Sequence, residues 1–425
     1  MSKFIINGPT RLSGKFSPVG NKNAVLPMIA AAVLTDEPVI LHNVPRILDV
    51  HVMLELFASL GGFVEQTGHR VTLCAARLKK RRLDPELCRR VRSSILFAGP
   101  LAARHGRAIL YPPGGDVIGR RRLDTHFDGL RALGIGVEGG TFYTLRRKRL
   151  KGADLLLDEA SVTATENILM AAVLAEGATT IFNAACEPHV HDLALLLNKM
   201  GANIHGLGTN YLRIEGVESL HGAVHTVGSD HIEIGSFLAA AATTHGELNV
   251  EAALGATTSG VLRRAFQKLG VSLSMEAQRI VLAPRQRLSI ERDFGDAIPK
   301  IEDGAWPAFP SDLMSAAIVL ATQGKGTVLF FEKLFESRMY FVDRLIEMGA
   351  HLVQCDPHRV LVAGPSRLQG THLTTPDIRA GMSLVIAALC AKGQSVIDNA
   401  QIIDRGYERI DERLRALGAD IVRED

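Results

Sequence analysis

A leucine or methionine followed by glycine recurs six times along the chain, at Leu60–Gly61, Leu133–Gly134, Met200–Gly201, Leu269–Gly270, Met348–Gly349 and Leu417–Gly418. The interval is about 70 residues, the mark of one structural unit repeated six times. Each glycine ends an amphipathic stretch such as HVMLELFASLG or YERIDERLRALG. The apolar spacing there is helical, and the glycine supplies the C-terminal cap. Two extended runs about a turn follow, as in AHLVQCDPHRVLVAG. Each unit also holds a helix of another kind, apolar on every side: AVLPMIAAAVL, SILFAGPLAA, ENILMAAVLA, GSFLAAAATT, LMSAAIVLAT and SLVIAALCA. Such helices are buried, and about three turns is too short to cross a membrane. A strand follows each of them, for example EPVILHNV or KGTVLFFE. The expected fold class is α/β, arranged as two inside-out α/β domains of three repeats each, with helices in the core and sheets outside. A leucine-rich solenoid or a seven-bladed propeller needs a shorter period.

A length of 425 residues exceeds what one core usually serves, which supports two domains. The net charge of +3 is too small to imply a nucleic-acid or membrane partner. The basic runs Lys79–Arg82 and Arg146–Lys151 therefore read as solvated faces. Five scattered cysteines without a CxxC pair indicate neither a disulfide framework nor a zinc site. The opening MSKFIINGPTRL lacks the apolar core of a signal peptide, so a cytoplasmic protein is expected. Gly134–Gly139 matches GxGxxG, but follows a helix and precedes a strand, the reverse of a dinucleotide site. His189, His191 and Asp192 lack a further well-spaced ligand and read as helix-entry residues rather than a metal centre.

The polar residues of the buried helices gather at their starts: Lys22 and Asn23; Arg92, Ser93 and Ser94; Ser161, Thr163, Thr165 and Glu166; Asp230 and Glu233; Ser311 and Asp312; Asp377 and Arg379. Asn, Ser, Thr and Asp suit N-caps. Lys22, Arg92 and Arg379 do not, because a cation there opposes the helix dipole, and they point to an anionic ligand. Helix starts directed from each domain toward the other would make an anion trap of the cleft between them. Further charge stands before the amphipathic helices, at Arg120–Arg122 and Asp124, Glu187, Glu336 and Arg338, and Asp404 and Arg405. The segment PPGGDVIGRRRLDTHF is a glycine-rich, lid-like loop carrying one acid, Asp116, among arginines.

GNKNAVLP, VRSSILFAGPL, PGG-x-x-IG-x-R, SVTATENILMAAVLAEG, FPSDL, ESR, PDIRA and IDRGYERI resemble, in order and over residues 3 to 423, the UDP-N-acetylglucosamine 1-carboxyvinyltransferases of the enolpyruvyl transferase family. The resemblance is weaker to 5-enolpyruvylshikimate-3-phosphate synthase, which shares the six-unit fold. It implies one domain of residues 22–228 and another of 1–21 plus 229–425, joined by two crossing strands acting as a hinge. It implies attack of a sugar 3′-hydroxyl on C2 of phosphoenolpyruvate, protonation of C3, and loss of phosphate from a tetrahedral ketal. It places Lys22, Arg121 and Arg405 on phosphoenolpyruvate with Arg379 beside them, and Arg92 and Arg338 near the closing cleft. Asp312 falls on the position of the base that meets the sugar hydroxyl, and Asn23 on a sugar contact. Asp124, Ser161, Val162 and Thr163 fall where the family holds the uridine and diphosphate, and Asp377 joins Arg379 in the binding set. Asp116, Asp312, Lys22 and Arg405 are the expected catalytic residues, with no metal, dissociable cofactor or obligate protein partner.

Asp116 stands where most relatives carry the lid cysteine. A carboxyl can act as an acid in place of a thiol only while protonated, a state set by burial against neighbouring positive charge. The exchange also removes the thiolate that fosfomycin alkylates. Arg122 and Thr125 replace Pro and Leu near the uracil pocket, and His231, Met314 and Ile402 replace Arg, Gln and His. These leave open another uridine nucleotide or a shikimate phosphate as acceptor, or a catalytically silent paralogue.

Overall fold

Burial of the six apolar helices organises the structure, a computed structural model that describes residues 2–425. Two units result. One holds the chain up to Val19, Val117–Arg120 and Ser229–Asp425; the other holds Gly20–Asp116 and Arg121–Gly228. In the former, helix Ser311–Gln323 packs against both His231–Thr243 and Ile378–Cys390. In the latter, Lys22–Ala31, Arg92–His105 and Val162–Ala172 form the corresponding centre. Each unit carries three sheets. In four of the six, the strand after a buried helix pairs on one side in parallel and on the other side with a hairpin, as Val39–His42 does with Ala223–Thr226 and Arg70–Cys74. Alternating burial along strands such as Tyr211–Glu215 leaves one sheet face on the core and the other outward. The expected inside-out α/β arrangement is present.

The sixth repeat is completed from the other end of the chain. Lys3–Gly8 lies antiparallel between Gly393–Asp398 and the last strand, Ile421–Glu424. The segment leading to Val19 is pinned within its own unit. The buried Glu233 accepts the Val19 N–H at 3.0 Å and binds Arg413, which also donates to the Ser17 carbonyl at 2.9 Å.

One buried helix departs from expectation. SILFAGPLAA is not one α-helix but a 3-10 segment, Arg92–Phe97, running into the α-helix Ala98–His105. In an α-helix the Gly99 N–H would bond the Ile95 carbonyl. Here the side chain of Asn167 stands between them. Its Oδ1 accepts the Gly99 N–H at 2.6 Å and its Nδ2 donates to Ile95 O at 2.7 Å. A side chain inserted in the ladder breaks the α pattern. Glycine is required at 99, since a Cβ would lie 2.3 Å from the Asn167 carbonyl oxygen. Because Asn167 is fully buried, Asn167→Leu strands the Gly99 N–H, the Ile95 carbonyl and the ring nitrogen Nδ1 of His126. Denaturant titration is expected to show a loss of about 2–4 kcal/mol; a loss below about 0.5 kcal/mol would mean that the helix re-forms its own bond.

Candidate active site

In the unit containing Gly20, the sequence-predicted cations Lys22 and Arg92 do begin core-helix segments, Lys22 directly behind a polar cap and Arg92 behind Val91. Asn21 caps the first helix by accepting the N–H groups of Asn23 and Ala24 at 2.8 and 3.2 Å. Lys22, next along, is buried, and its Nζ lies 2.7 Å from the equally buried Asp49. Asp49 offsets a cation that the helix start disfavours. Asn23 is half-buried beside it.

The glycine-rich loop has no regular structure, yet both of its ends are held. At one end the Gly114 N–H donates to Cys88 O at 2.9 Å, and a Cβ there would lie 1.7 Å from the Arg89 oxygen, so only glycine fits. At the other, Arg92 Nη2 donates to the Arg121 carbonyl at 2.5 Å and approaches that of Arg122 at 3.5 Å. Burial and the neighbouring Arg121 pull the Arg92 pKa down to about 10. Asp116 is half-buried between these anchors, and Val117 after it is exposed. Residues Val117–Arg120 belong to the other unit, where Glu336 accepts the Arg120 N–H at 3.0 Å and Ile118 O accepts from Ser337 N.

Arg122 pairs with Asp124, the first residue of helix Asp124–Ala132. The Thr125 hydroxyl donates to Asp158 at 2.6 Å. His126 is buried with Nε2 3.0 Å from the Thr163 hydroxyl and Nδ1 3.1 Å from Asn167. Burial, with Arg92 adding to it, holds the His126 pKa down to about 3, so the ring is neutral. Ser161, Val162 and Thr163 open helix Val162–Ala172 half-exposed, and Ser161 makes no side-chain cap bond. Arg92, Arg121, Asp124 and Thr163 are thus tied into one local group, while Lys22 sits in its own pair with Asp49.

In the other unit, three core-helix starts converge on Asp312. Its Oδ1 accepts from Arg338 Nη2 at 3.0 Å, and its Oδ2 from Arg379 Nε and Nη2 at 3.1 and 2.9 Å. Asp377 caps the third helix, accepting the N–H groups of Arg379 and Ala380. Burial alone would pull the Arg379 pKa down, but Asp312 holds it above the ordinary arginine value. Its guanidinium lies over the Tyr407 ring at 5.3 Å, and the Tyr407 hydroxyl is 2.9 Å from that of Ser236. His231, at the start of the first of these helices, faces Trp306 with ring centroids 6.0 Å apart, and burial lowers its pKa. Met314 is buried and Ile402 half-buried. Arg405 ends the 3-10 turn Ala400–Arg405.

Arg338 is almost wholly buried, and its Nη1 has no hydrogen-bond partner among the described residues. Its Nε lies 3.8 Å from Glu332, too far for a hydrogen bond. Buried guanidinium donors left open in this way suit an incoming anion.

Sequence reasoning passed over Glu332, Asp303, Asp49, His126 and Tyr407. Glu332 is fully buried behind Ser311 and Arg338. It accepts the Ser311 hydroxyl at 2.9 Å and the N–H groups of Leu334 and Phe335. Burial, then a hydrogen bond shared with Asp303, raises its pKa, against the pull of Arg338. A lone acid ending the apolar run GTVLFFE was the available signal. Gly134–Gly139 spans the strand Ile135–Glu138, and no group of three His, Cys, Asp or Glu able to hold a metal occurs among the described residues. Asp192 instead binds His225 at 2.8 Å. No helix among the described residues is long and apolar enough to cross a membrane.

The model of the EPSP synthase (3-phosphoshikimate 1-carboxyvinyltransferase) family matches residues 6–414. The chain is 53% identical over 422 residues to a UDP-N-acetylglucosamine 1-carboxyvinyltransferase of Bradyrhizobium diazoefficiens, covering 99% of this chain and 98% of that one. It is 53% identical to the protein of that name in Treponema pallidum and 46% identical to that in Bacteroides thetaiotaomicron, each over the full length of both chains. Among solved structures, the enolpyruvyl transferase NikO from Streptomyces tendae superposes with a TM-score of 0.86 at 24% identity, over 99% of this chain and 98% of that one. EPSP synthase from Acinetobacter baumannii superposes with a TM-score of 0.77 at 19% identity over both whole chains. These two likenesses establish the enolpyruvyl transferase fold.

The Glu332–Asp303 pair has a pH signature. A carboxyl whose folded pKa is raised binds its proton more tightly in the folded state, so the stability it contributes at low pH is lost as pH rises from the ordinary carboxyl range to the raised value. Glu332→Gln cannot lose a proton. Its unfolding free energy relative to the parent is therefore expected to climb between about pH 5 and pH 9, and a difference independent of pH would refute the shared proton.

Proposed function

This chain belongs to the EPSP synthase (3-phosphoshikimate 1-carboxyvinyltransferase) family, and we propose that it transfers the enolpyruvyl group of phosphoenolpyruvate to the 3′-hydroxyl of UDP-N-acetylglucosamine with release of phosphate. The acceptor follows from full-length relatives at 46% and 53% identity bearing that activity in their names. On this reading the chain carries out the first committed step of peptidoglycan synthesis, in the cytoplasm. The observation that carries the chemistry is Asp312, a carboxylate gripped by Arg338 and Arg379, with open guanidinium donors behind it.

The reaction needs a base for the hydroxyl, an acid for C3, and cations for a carboxylate and a phosphate. Asp312 takes the sugar proton, exchanging one guanidinium contact for the hydroxyl. The oxygen attacks C2 while the Asp116 carboxyl delivers a proton to C3. The tetrahedral adduct then returns a C3 proton to the Asp116 carboxylate as the C2–O bond to phosphate breaks, restoring the double bond in the product, and the proton held by Asp312 leaves with the phosphate. Lys22, Arg121 and Arg405 bind phosphoenolpyruvate, with Arg379 and Arg338 supporting the charge that develops. Asn23, Asp124, Ser161, Val162 and Thr163 hold the nucleotide sugar. Protein side chains suffice for every proton and charge in this sequence.

Phosphate release from phosphoenolpyruvate, measured against a panel of acceptors, is the test. Turnover with UDP-N-acetylglucosamine is expected; turnover only with another uridine nucleotide or a shikimate phosphate would replace the acceptor, and none with any would leave a silent paralogue. Asp116→Asn is expected to lower kcat by at least about 100-fold through loss of the acid, whereas retained activity would remove Asp116 from that role. A carboxylate is a poor nucleophile toward an epoxide. The enzyme is therefore expected to keep its activity in fosfomycin, and covalent modification at Asp116 would contradict this.

A further inference from the structure

The C-terminal strand reaches the turn that ends in Arg405, and it does so through one side chain. Arg423 lies on Ile421–Glu424, with its guanidinium 4.7 Å above the ring of Phe4 on the neighbouring strand. Nη1 and Nη2 each donate to a different oxygen of Asp404 at 2.7 Å, a paired, parallel geometry. Nη2 and Nε reach Asp411 Oδ1 at 3.2 and 3.4 Å. Asp404 immediately precedes Arg405 in the turn Ala400–Arg405. Two-point contact fixes the plane of a carboxylate as well as its position. A ring beneath the guanidinium and a second carboxylate beside it leave Arg423 little freedom to swing away.

We propose that Arg423 is a positioning residue for phosphoenolpyruvate binding, holding the Asp404–Arg405 turn so that Arg405 is presented to the substrate's anionic groups. The proposal rests on the assignment of Arg405 to phosphoenolpyruvate given above. Arg423 does not touch substrate; it acts through the backbone shared by Asp404 and Arg405. The turn is also anchored by the buried Ala400 and Ile403, by the Gly406 and Tyr407 N–H groups on Ile403 O at 2.9 and 3.0 Å, and by Ala400 N–H on Ser2 O at 2.9 Å. Arg423 adds the side-chain grip on Asp404 itself, the residue before Arg405.

Steady-state phosphate release by the full chain tests this with Arg423→Ala, Arg423→Lys, Asp404→Asn and Arg405→Ala. Arg423→Ala is expected to raise KM for phosphoenolpyruvate by about tenfold, as a displaced binding group does, while KM for the nucleotide sugar stays within about twofold. Arg423→Lys, which keeps the charge but not the fork, is expected to recover part of the loss. The double variant with Asp404→Asn is expected to be no worse than the worse single variant, because both remove one contact. General destabilisation would move both KM values together, and that pattern would overturn the proposal. So would an unchanged KM for phosphoenolpyruvate in Arg423→Ala when Arg405→Ala raises it; the assignment of Arg405 would then survive alone. If Arg405→Ala itself leaves that KM unchanged, the assignment falls and the positioning role with it. Should Arg423→Ala fail to fold, Arg423→Lys and Asp404→Asn are read by the same criteria.

Discussion

Asp312 binds two guanidinium groups at once, and much of its unit is arranged around making that possible. A helix start already carries partial positive charge, so placing Arg379 there and Arg338 alongside concentrates like charge in a buried region. One carboxylate at the start of the neighbouring core helix compensates both. The compensation is incomplete, since Arg338 keeps an Nη1 with no hydrogen-bond partner among the described residues. Open buried donors of this kind suit an anion, whereas a structural ion pair would match every donor. The other unit offers a simpler version: Lys22 behind the Asn21 cap, balanced by Asp49 from the next helix.

The inside-out plan explains how charged groups can sit so deep. Outer sheets shield the flanks of the core helices, so the starts are where polar groups gather. Caps such as Asn21, Asp230 and Asp377 satisfy the first backbone N–H groups, and the cations beside two of them pair with carboxylates, Lys22 with Asp49 and Arg379 with Asp312. Glu332 works behind this front. By accepting from Ser311 and the backbone of Leu334 and Phe335, it holds the strand exit that leads to Arg338 against the helix start that carries Asp312.

Much of this was legible in the chain. Glycines at fixed intervals after amphipathic stretches marked the repeats, because C-cap geometry demands them locally. Apolar stretches with polar residues at one end marked both the core and the charged groups. What could not be read is of another kind. The insertion of Asn167 between Ile95 and Gly99 joins residues about 70 apart and has no local signature, so the stretch from Arg92 read as plain helix. The pairing of Asp312 with two arginines required knowing which helix starts meet, and periodicity is silent on that. Arg423 looked like any charged residue near a terminus, because its partner Phe4 lies at the opposite end of the chain.

Thr125 shows how a departure from a family pattern changes meaning once contacts are known. Judged by sequence, a hydroxyl in place of a leucine near the uracil pocket suggests a new polar contact to the acceptor. In the folded chain that hydroxyl donates its only proton to Asp158 at 2.6 Å, tying the start of helix Asp124–Ala132 to the loop before helix Val162–Ala172. The neighbouring Arg122 is likewise engaged, by Asp124. Both exchanges therefore add bonds among the residues that frame the positions proposed to hold the nucleotide. Polar groups committed to one another in this way tighten a pocket's walls more than they alter what it can recognise. That favours the same acceptor held in a stiffer frame over a change of acceptor.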